Sequence, residues 1–310
     1  MKTLTGLPVP SSVGKLCYLL FFISPSTLFA SYGPDAVNSN VVAARPAAAR
    51  PVIGKLVSES PIAVGPVFAG PVTAKAVSDR MVAARVAAAR VTAVRLARQR
   101  AAVRKAELKM IALEAADMFK EMQLEDSGLN EKALEYALIG YHRLLKKGLL
   151  KRTEILSICD FSQASSLKRM YVIDVQNRKL LYRCYVAHGI NSGTEYASSF
   201  SNTPESHKSS LGFYVTGNTY FGCNGLSLRI DGMDRGFNNK AGQRNIVIHG
   251  APYVSERILH KYGVMGTTFG CPAIPDELSH QIIPAIQDGT CFFIYYPSGR
   301  YLERSSVLNG

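Results

Sequence analysis

Three absences limit what this 310-residue sequence can encode. It contains neither a zinc-ligand cluster nor a glycine-rich phosphate loop, so it implies no metal or organic cofactor. Beyond residue 30 no uninterrupted apolar stretch is long enough to span a bilayer. No aromatic residue lies between Phe68 and Phe119, which argues against a specific nucleic-acid site built on base stacking.

Acidic residues are scarce in the N-terminal part of the chain. Residues 31–110 contain 13 Lys and Arg against 4 Asp and Glu, whereas residues 111–310 contain 21 against 19. The net charge of +13 therefore belongs mainly to the N-terminal segment. Such a segment suits anionic envelope polymers, anionic lipid or non-specific nucleic-acid binding, but a solvated basic spacer is an equal alternative.

The first thirty residues are typical of an export signal. Lys2 and Lys15 are their only charged side chains, and an apolar run at 16–23 ends at a serine and a proline. Ala30 suits the residue before a cleavage site. We therefore predict a signal peptide at 1–30 and a location in the periplasm or cell envelope. An uncleaved N-terminal anchor is the alternative, although the run is short for a membrane span.

Two segments of biased composition come next. Residues 31–78 contain five prolines between Pro46 and Pro71, which predicts an extended Pro/Ala/Val-rich linker. Residues 79–124 lack proline and are rich in Ala, Val, Arg, Leu and Glu, which predicts a basic helix. Arginines recur there every five residues, at Arg80, Arg85, Arg90, Arg95 and Arg100. Successive members are rotated by about 140°, so they encircle the helix instead of forming one stripe.

Residues 125–300 predict a mainly β domain with helical additions, followed by a C-terminal tail at 301–310. A helix is expected at 131–147, because Asn130 can cap its start and Gly148 can end it. Its apolar stripe, which should pack on the core, consists of Leu134, Leu138, Tyr141 and Leu145. Short apolar or alternating runs predict strands at 170–175, 179–187, 211–216, 227–230, 245–249 and 290–296.

A Gly-Cys pair and a His-Gly pair form the pattern that thiol-based acyl transfer needs. A free thiol has a pKa of about 8.5 and is mostly protonated at neutral pH, so a base must remove its proton. We predict Cys271 as the nucleophile and His249 as that base. Gly270 would let the main-chain N–H groups of residues 270 and 271 face the oxyanion of a reacting carbonyl. The alternatives are an inert or disulfide-bonded cysteine and a core histidine.

The cysteine count agrees with a free thiol. Six cysteines occur, and removal of the predicted signal peptide takes away Cys17. Five remain, and an odd number in an exported chain leaves at least one unpaired. Apart from Cys271 these are Cys159, Cys184, Cys223 and Cys291, which allow three complete pairings among which the sequence does not choose.

Two longer segments resemble the murein L,D-transpeptidase catalytic domain family. They are RNIVIHGAPYVS at 244–255 and GCPAIP at 270–275. Further segments at 185–193, 209–214 and 224–229 are similar to the same family, in the same order. The broader superfamily usually has His before the Gly-Cys pair and Arg or Asn two residues after the cysteine. This chain has Phe269 and Ala273 there instead.

The resemblance covers about residues 125–297. It implies a compact β-sandwich or barrel-like fold with the cysteine at one end of a cleft. It also implies a peptidoglycan tetrapeptide stem as substrate, in which Cys271 attacks the carbonyl that joins meso-diaminopimelate to D-Ala. Transfer to an amine acceptor would form a cross-link, and transfer to water would make the protein an L,D-carboxypeptidase. A non-catalytic wall-binding protein is the alternative from another class.

The resemblance further implies roles for residues around the cleft. A backbone carbonyl near Gly250 would orient the His249 ring. Tyr253 would line the cleft, assist the oxyanion or only pack. Secondary candidates are His188, which would lie near the cleft, and Arg229 and Arg244, which would meet a substrate carboxylate or be surface charges.

Overall fold

A long helix leads into an eight-stranded sheet in the computed structural model, which describes residues 73–310. The predicted signal peptide at 1–30 and most of the predicted linker at 31–78 lie outside the described residues. Within 73–310 no helix combines the length and the apolarity that a bilayer crossing requires.

Helix α1 (Ala74–Glu121) covers the predicted basic helix at 79–124 except for its last three residues, and it begins at Ala74, inside the segment predicted as linker. Its side chains are exposed from Val77 to Glu107, where no apolar stripe exists. The buried apolar contacts of α1 come from its last turns, through Ile111, Ala115 and Met118, and further back Arg104 donates to Leu308 O at 3.4 Å. The three apolar residues have the i, i+4, i+7 spacing that places them on one helix face, and the first two thirds of α1 lack such a face.

Helix α2 (Glu131–Lys146) forms as its end signals predict. The Asn130 side chain accepts the N–H groups of Lys132 at 2.9 Å and Ala133 at 3.4 Å. Of the predicted stripe, Leu134, Leu138 and Tyr141 are buried.

The prediction for the last member of that stripe, Leu145, is wrong, because its side chain is 38% exposed. The buried residue of the last turn is Leu144. The C-terminal segment packs against this turn from that side, and Arg143 donates to Val307 O at 2.7 Å. The burial of the last turn is therefore decided by a segment more than 150 residues away.

The strands form one sheet in the order β3-β2-β1-β8-β4-β5-β6-β7. They are β1 (Ile155–Asp160), β2 (Met170–Asp174), β3 (Lys179–Cys184), β4 (Gly212–Gly222), β5 (Gly225–Gly232), β6 (Val247–Ala251), β7 (Ala273–Pro275) and β8 (Cys291–Tyr295). Neighbours are antiparallel except for the parallel pairs β1–β8 and β6–β7. Beyond β3, Ala187 and Gly189 bridge to Ala273 and Thr268. The two edges of the sheet therefore approach each other and make a near-barrel, which confirms the predicted mainly β fold.

Two of these strands were not among the predicted runs. All six residues of β1 are buried, so the alternation that marks a half-buried strand is missing. Strand β7 has only three residues and is too short to show a pattern. It is this short strand that brings the segment around Cys271 beside β6.

Helices cover the sheet and complete the domain. Helix α2 contacts β1 and β8, and α4 (Asp276–Ile286) contacts β5 and β6. The remaining helices are α3 (Glu256–Tyr262), α5 (Gly299–Arg304) and α6 (Ser306–Asn309), with a 3-10 turn at Ile190–Ser192.

The segment at 301–310, which the sequence analysis predicts as a C-terminal tail, packs onto the sheet. Tyr301 and Val307 are buried. The buried carboxylate of Asp234 accepts the Tyr301 hydroxyl at 2.9 Å and the Val307 N–H at 3.0 Å. It also accepts the N–H of Phe213 in β4 at 3.0 Å. One carboxylate thus attaches the end of the chain to the middle of the sheet.

Candidate active site

Cys271 and His249 line one cavity of about 500 Å³. The parallel pairing of β6 with β7 sets His249 opposite Ala273, so Cys271, two residues earlier, lies beside the start of β6. The sheet therefore brings together the two residues that the sequence singled out. The other residues that line the cavity are Asn224, Arg244, Asn245, Ile246, Tyr253, Thr267, Thr268 and Phe269.

The thiol of Cys271 is held by main-chain groups of the residues that lead into β6. Its Sγ accepts the Val247 N–H at 3.4 Å and donates to Asn245 O at 3.7 Å. In the described part of the chain it makes no hydrogen bond to the His249 ring. Burial raises the pKa of Cys271, while the Val247 N–H and the charge of Arg244 act in the opposite direction with smaller effects. The resting sulfur is therefore a protonated thiol.

The His249 ring is buried and fixed by its own strand. Nδ1 lies 2.7 Å from Gly250 O, which is the contact that the family resemblance implies. A carbonyl oxygen only accepts, so Nδ1 holds the proton and Nε2 keeps the lone pair that can accept one. Burial lowers the pKa of His249, and the hydrogen bond to Gly250 only partly opposes this. The ring is therefore neutral, and its tautomer is that of a general base.

The two pKa shifts together favour the neutral forms of Cys271 and His249. The raised pKa of Cys271 and the lowered pKa of His249 both oppose a thiolate–imidazolium ion pair. Desolvation disfavours the charged form of each group, so the site at rest favours the neutral thiol and the neutral imidazole.

The loop before Cys271 is shaped by Gly270 and Thr268. Gly270 has φ +124°, and a Cβ there would lie 2.9 Å from Lys208 O, so only glycine fits. The Gly270 N–H donates to Thr268 Oγ1 at 3.0 Å, and that hydroxyl donates to Cys271 O at 2.7 Å. The Gly270 N–H, a predicted oxyanion donor, is therefore already occupied. The N–H of Cys271 has no acceptor among the described residues and faces no such competition.

The sequence analysis missed Thr268, although a local signal was present. A Ser or Thr whose hydroxyl accepts the N–H two residues later forms a common turn, and Thr268 stands two residues before Gly270. Asn245 was missed for a similar reason. Its φ is +53°, a conformation that Asn tolerates better than most residues, and its carbonyl then accepts the thiol.

Tyr253 and Phe269 both line the cavity. The Tyr253 hydroxyl makes no hydrogen bond within residues 73–310, and burial raises its pKa. Its ring packs on Gly266, where a Cβ would lie only 2.6 Å from the ring. Phe269 is 71% exposed and stacks on the His207 ring, with centroids 4.4 Å apart. Phe269 thus lies at the rim of the cavity and does not fill its interior.

Gly250 serves as a packing position as well as a hydrogen-bond acceptor. A Cβ at Gly250 would lie 2.6 Å from Asp276 Oδ1, so α4 approaches β6 closely at this point. The first turn of α4 therefore lies against Gly250, and none of its residues lines the cavity around Cys271.

Arg244 lines the cavity, but its guanidinium is largely engaged. It donates to Ser201 O at 2.8 Å and to Lys208 O at 2.6 Å. It also donates to the hydroxyls of Ser206 and Ser210. This residue therefore holds the loop at 201–210 against the site and adds positive charge near Cys271.

Arg229 and His188 lie outside the cavity. Arg229 on β5 is exposed and its guanidinium lies 4.6 Å from the Tyr220 ring centroid. His188 is buried, accepts Arg169 Nη2 on Nδ1 at 2.8 Å and donates from Nε2 to Gly193 O at 3.1 Å. Burial, with the charge of Arg169, lowers the pKa of His188 to about 4. Both of its nitrogens are used within the fold.

None of the five described cysteines forms a disulfide. Cys159, Cys184 and Cys291 are buried, and Cys223 is exposed on the turn between β4 and β5. Within residues 73–310 no group of three or more His, Cys, Asp or Glu side chains is arranged to hold a metal ion.

Comparison with known proteins gives one family. The L,D-transpeptidase catalytic domain profile matches residues 125–295, which is more than half of the chain. No curated protein matches.

Among solved structures, an L,D-transpeptidase from Mycobacterium smegmatis is 10% identical, with TM-score 0.30, over 46% of this chain and 59% of that one. An L,D-transpeptidase from Mycobacterium tuberculosis is 13% identical, with TM-score 0.28, over 46% and 58%. The helical cell shape determining protein Pgp2 from Campylobacter jejuni is 12% identical, with TM-score 0.31, over 51% and 57%. The chain thus spans less than two thirds of the length of these structures.

Proposed function

This chain belongs to the L,D-transpeptidase catalytic domain family, and on that premise we propose that it is an exported, peptidoglycan-remodelling cysteine acyltransferase. The proposed donor is the tetrapeptide stem of peptidoglycan, with attack at the carbonyl that joins meso-diaminopimelate to D-Ala. The observation on which the proposal depends is the shared cavity in which His249, oriented by Gly250 O, faces the same space as the Cys271 thiol.

The first half-reaction forms a thioester. As Cys271 Sγ bonds to the carbonyl carbon, its proton moves to His249 Nε2. The C–N bond to D-Ala then breaks, and the imidazolium returns that proton to the leaving amine. The products are free D-Ala and a stem acylated on Cys271.

The second half-reaction restores the enzyme. An acceptor amine loses its proton to His249, attacks the thioester carbonyl, and the C–S bond breaks with return of the proton to sulfur. If the acceptor is the amine of diaminopimelate, a 3–3 cross-link results. If the acceptor is water, the product is the tripeptide and the protein acts as an L,D-carboxypeptidase.

The negative oxygen that forms in each half-reaction needs donors within the cavity. The N–H of Cys271 is unoccupied within the described residues, and the hydroxyl of Tyr253, which lines the cavity, has no hydrogen-bond partner there. We assign these two groups to the oxyanion. The Gly270 N–H would join them only by leaving Thr268 Oγ1.

The test is D-Ala release from purified disaccharide-tetrapeptide, together with intact-mass detection of the acyl-enzyme. Wild type should show one stem-peptide adduct, and Cys271→Ala should show neither adduct nor D-Ala. Cys223→Ala, which removes the exposed cysteine outside the cavity, is the matched control and should retain both. D-Ala release by a folded Cys271→Ala protein would exclude this nucleophile.

The same assay separates the alternatives. Dimeric muropeptides indicate transfer to an amine, and free tripeptide alone indicates hydrolysis. Binding of the stem with no adduct and no D-Ala would identify a non-catalytic wall-binding protein.

The exposed part of α1 suggests a second partner, an anionic envelope polymer. Between Val77 and Glu107 it has eight Lys and Arg against two Asp and Glu, all exposed. Because the arginines encircle the helix, a flexible polymer can contact more of them at once than a flat bilayer can. Removing residues 31–106 keeps Ile111 and the packed end of α1. This truncation should preserve activity on soluble muropeptides and weaken salt-sensitive binding to isolated sacculi. Equal, salt-insensitive binding would make the segment a spacer.

A further inference from the structure

A second cleft, of about 420 Å³, is lined in part by the loop at 198–203. None of its lining residues lines the cavity of Cys271. Its volume lies within the range of roughly 300–1,000 Å³ that is usual for small-molecule sites. The reaction proposed above uses no residue of this cleft.

Aromatic rings form its walls and are held in place from behind. The half-buried rings of Phe200 and Tyr296 have centroids 5.0 Å apart, with planes tilted by 49°. Phe200 is backed by the buried ring of Phe161 at 6.4 Å. On the other side, Phe237 meets Tyr301 edge-on at 5.1 Å. The flat apolar faces are thus fixed before any ligand arrives.

Hydroxyl groups occupy the space between these rings. The Oγ of Ser199 accepts Lys208 Nζ at 2.7 Å, and the Oγ of Ser201 accepts Thr203 N–H at 3.0 Å. Each of these hydroxyls therefore uses one lone pair within the fold and still has an O–H to donate. The Tyr296 hydroxyl has no partner within residues 73–310. The cleft offers several oriented neutral donors and acceptors beside flat apolar faces.

Charge is almost absent from the lining. Arg300 is its only charged side chain, and no acidic group lines it. Without an acidic group this composition does not suit a metal ion. It suits a neutral ligand with many hydroxyl or amide groups and apolar C–H faces, which is the chemistry of a saccharide.

We propose that this cleft binds the glycan strand to which the stem peptide is attached, an inference that rests on the proposed peptidoglycan substrate. The two cavities are separated by one side-chain contact, because Arg244 lines the first and donates to the carbonyl of Ser201, which lines the second. Three stem residues lie between the glycan and the reacting carbonyl, and three extended residues reach about 10 Å. The proposal requires one substrate molecule to reach from one cavity to the other past this contact.

The test compares two donors in the D-Ala release assay, the free tetrapeptide and the same tetrapeptide attached to its disaccharide. In the wild-type full chain the disaccharide should lower KM by about three- to tenfold, the range that one ring contact gives, with little change in kcat. Tyr296→Leu keeps an apolar side chain without the flat ring and should abolish this difference. Tyr262→Leu, at an exposed tyrosine on α3, should keep it. Equal KM values for both donors in wild type would overturn the proposal.

A binding measurement makes the result independent of turnover. Chitotetraose, the tetramer of N-acetylglucosamine, should bind full-length Cys271→Ala protein in NMR titrations, and the added Tyr296→Leu change should weaken that binding by the same factor. If neither donor is turned over, the proposed function fails, and this titration alone decides on the cleft. No chitotetraose binding, or binding that Tyr296→Leu leaves unchanged, would refute the saccharide assignment.

Discussion

Alkylation of Cys271 should follow pH as that of a protonated thiol. Burial raises the pKa of Cys271 above 9.0 and lowers that of His249 below 6.5. A thiol two or more pH units below its pKa is less than about 1% thiolate, and only the thiolate reacts. At pH 7 the reaction with iodoacetamide should therefore be at least about a hundredfold slower than its limit at high pH. Between pH 6 and 8 the rate constant should rise about tenfold per unit.

The measurement needs a background in which only one thiol reacts. Cys223 is exposed, so Cys223→Ser protein should be used, and intact mass should be followed over time. Cys159, Cys184 and Cys291 are buried, and burial raises the pKa of each. The double variant with Cys271→Ala should not be labelled. A fast rate constant that stays level from pH 5 to 8 would reveal a preformed ion pair and refute the neutral resting state.

Three further predictions concern single side chains. His249→Ala should slow D-Ala release about a hundredfold or more and remove the acid limb of the pH–rate profile, whose wild-type midpoint should lie below 6.5 because burial lowers this pKa. Gly270→Ala should lower D-Ala release at least about tenfold, since its Cβ would meet Lys208 O at 2.9 Å, and Gly242→Ala, with no atom within 4 Å, should leave the rate unchanged. For His188, whose pKa is lowered to about 4, the unfolded chain binds a proton that the folded chain refuses, so the free energy of unfolding should fall by about 3 kcal/mol from pH 6.5 to 4. Urea unfolding at several pH values should show this loss in wild type and a smaller one in His188→Gln; equal slopes would place the titration elsewhere.

Local signals were sufficient where a structure depends on neighbouring residues. The Asn130 cap and the apolar spacing of Leu134 and Leu138 determine α2 within a few turns of chain, and the structure agrees. The Leu145 prediction failed because the last turn of that helix is covered by the segment around Val307, which is remote in sequence.

The candidate site shows the same division. His249 and Cys271 could be singled out because each stands in a short, distinctive motif, and the turn at Gly270 follows from the freedom of glycine. The Thr268 hydroxyl accepts the Gly270 N–H only in one rotamer of the Thr268 side chain. No periodicity in the sequence indicates that rotamer. The hydrogen bond between Arg169 and His188 could not be predicted from the sequence, because the two side chains meet only in the interior of the folded domain. The charge of Arg169 adds to burial in lowering the pKa of His188.

The sequence by itself indicated α1, α2, most strands, the family and the pair of side chains that we propose form and resolve a thioester. Each of these depends on residues that are close together in the chain, so helix caps, apolar spacing and short motifs are enough to recognise it. Tertiary structure alone decided that the described cysteines stay unpaired, that burial raises the pKa of the Cys271 thiol and lowers that of the His249 imidazole, and that Asp234 holds the chain end on the sheet. These outcomes depend on the distances between segments that are far apart in the chain and on the removal of water from around their side chains. Both are determined only when the sheet has formed.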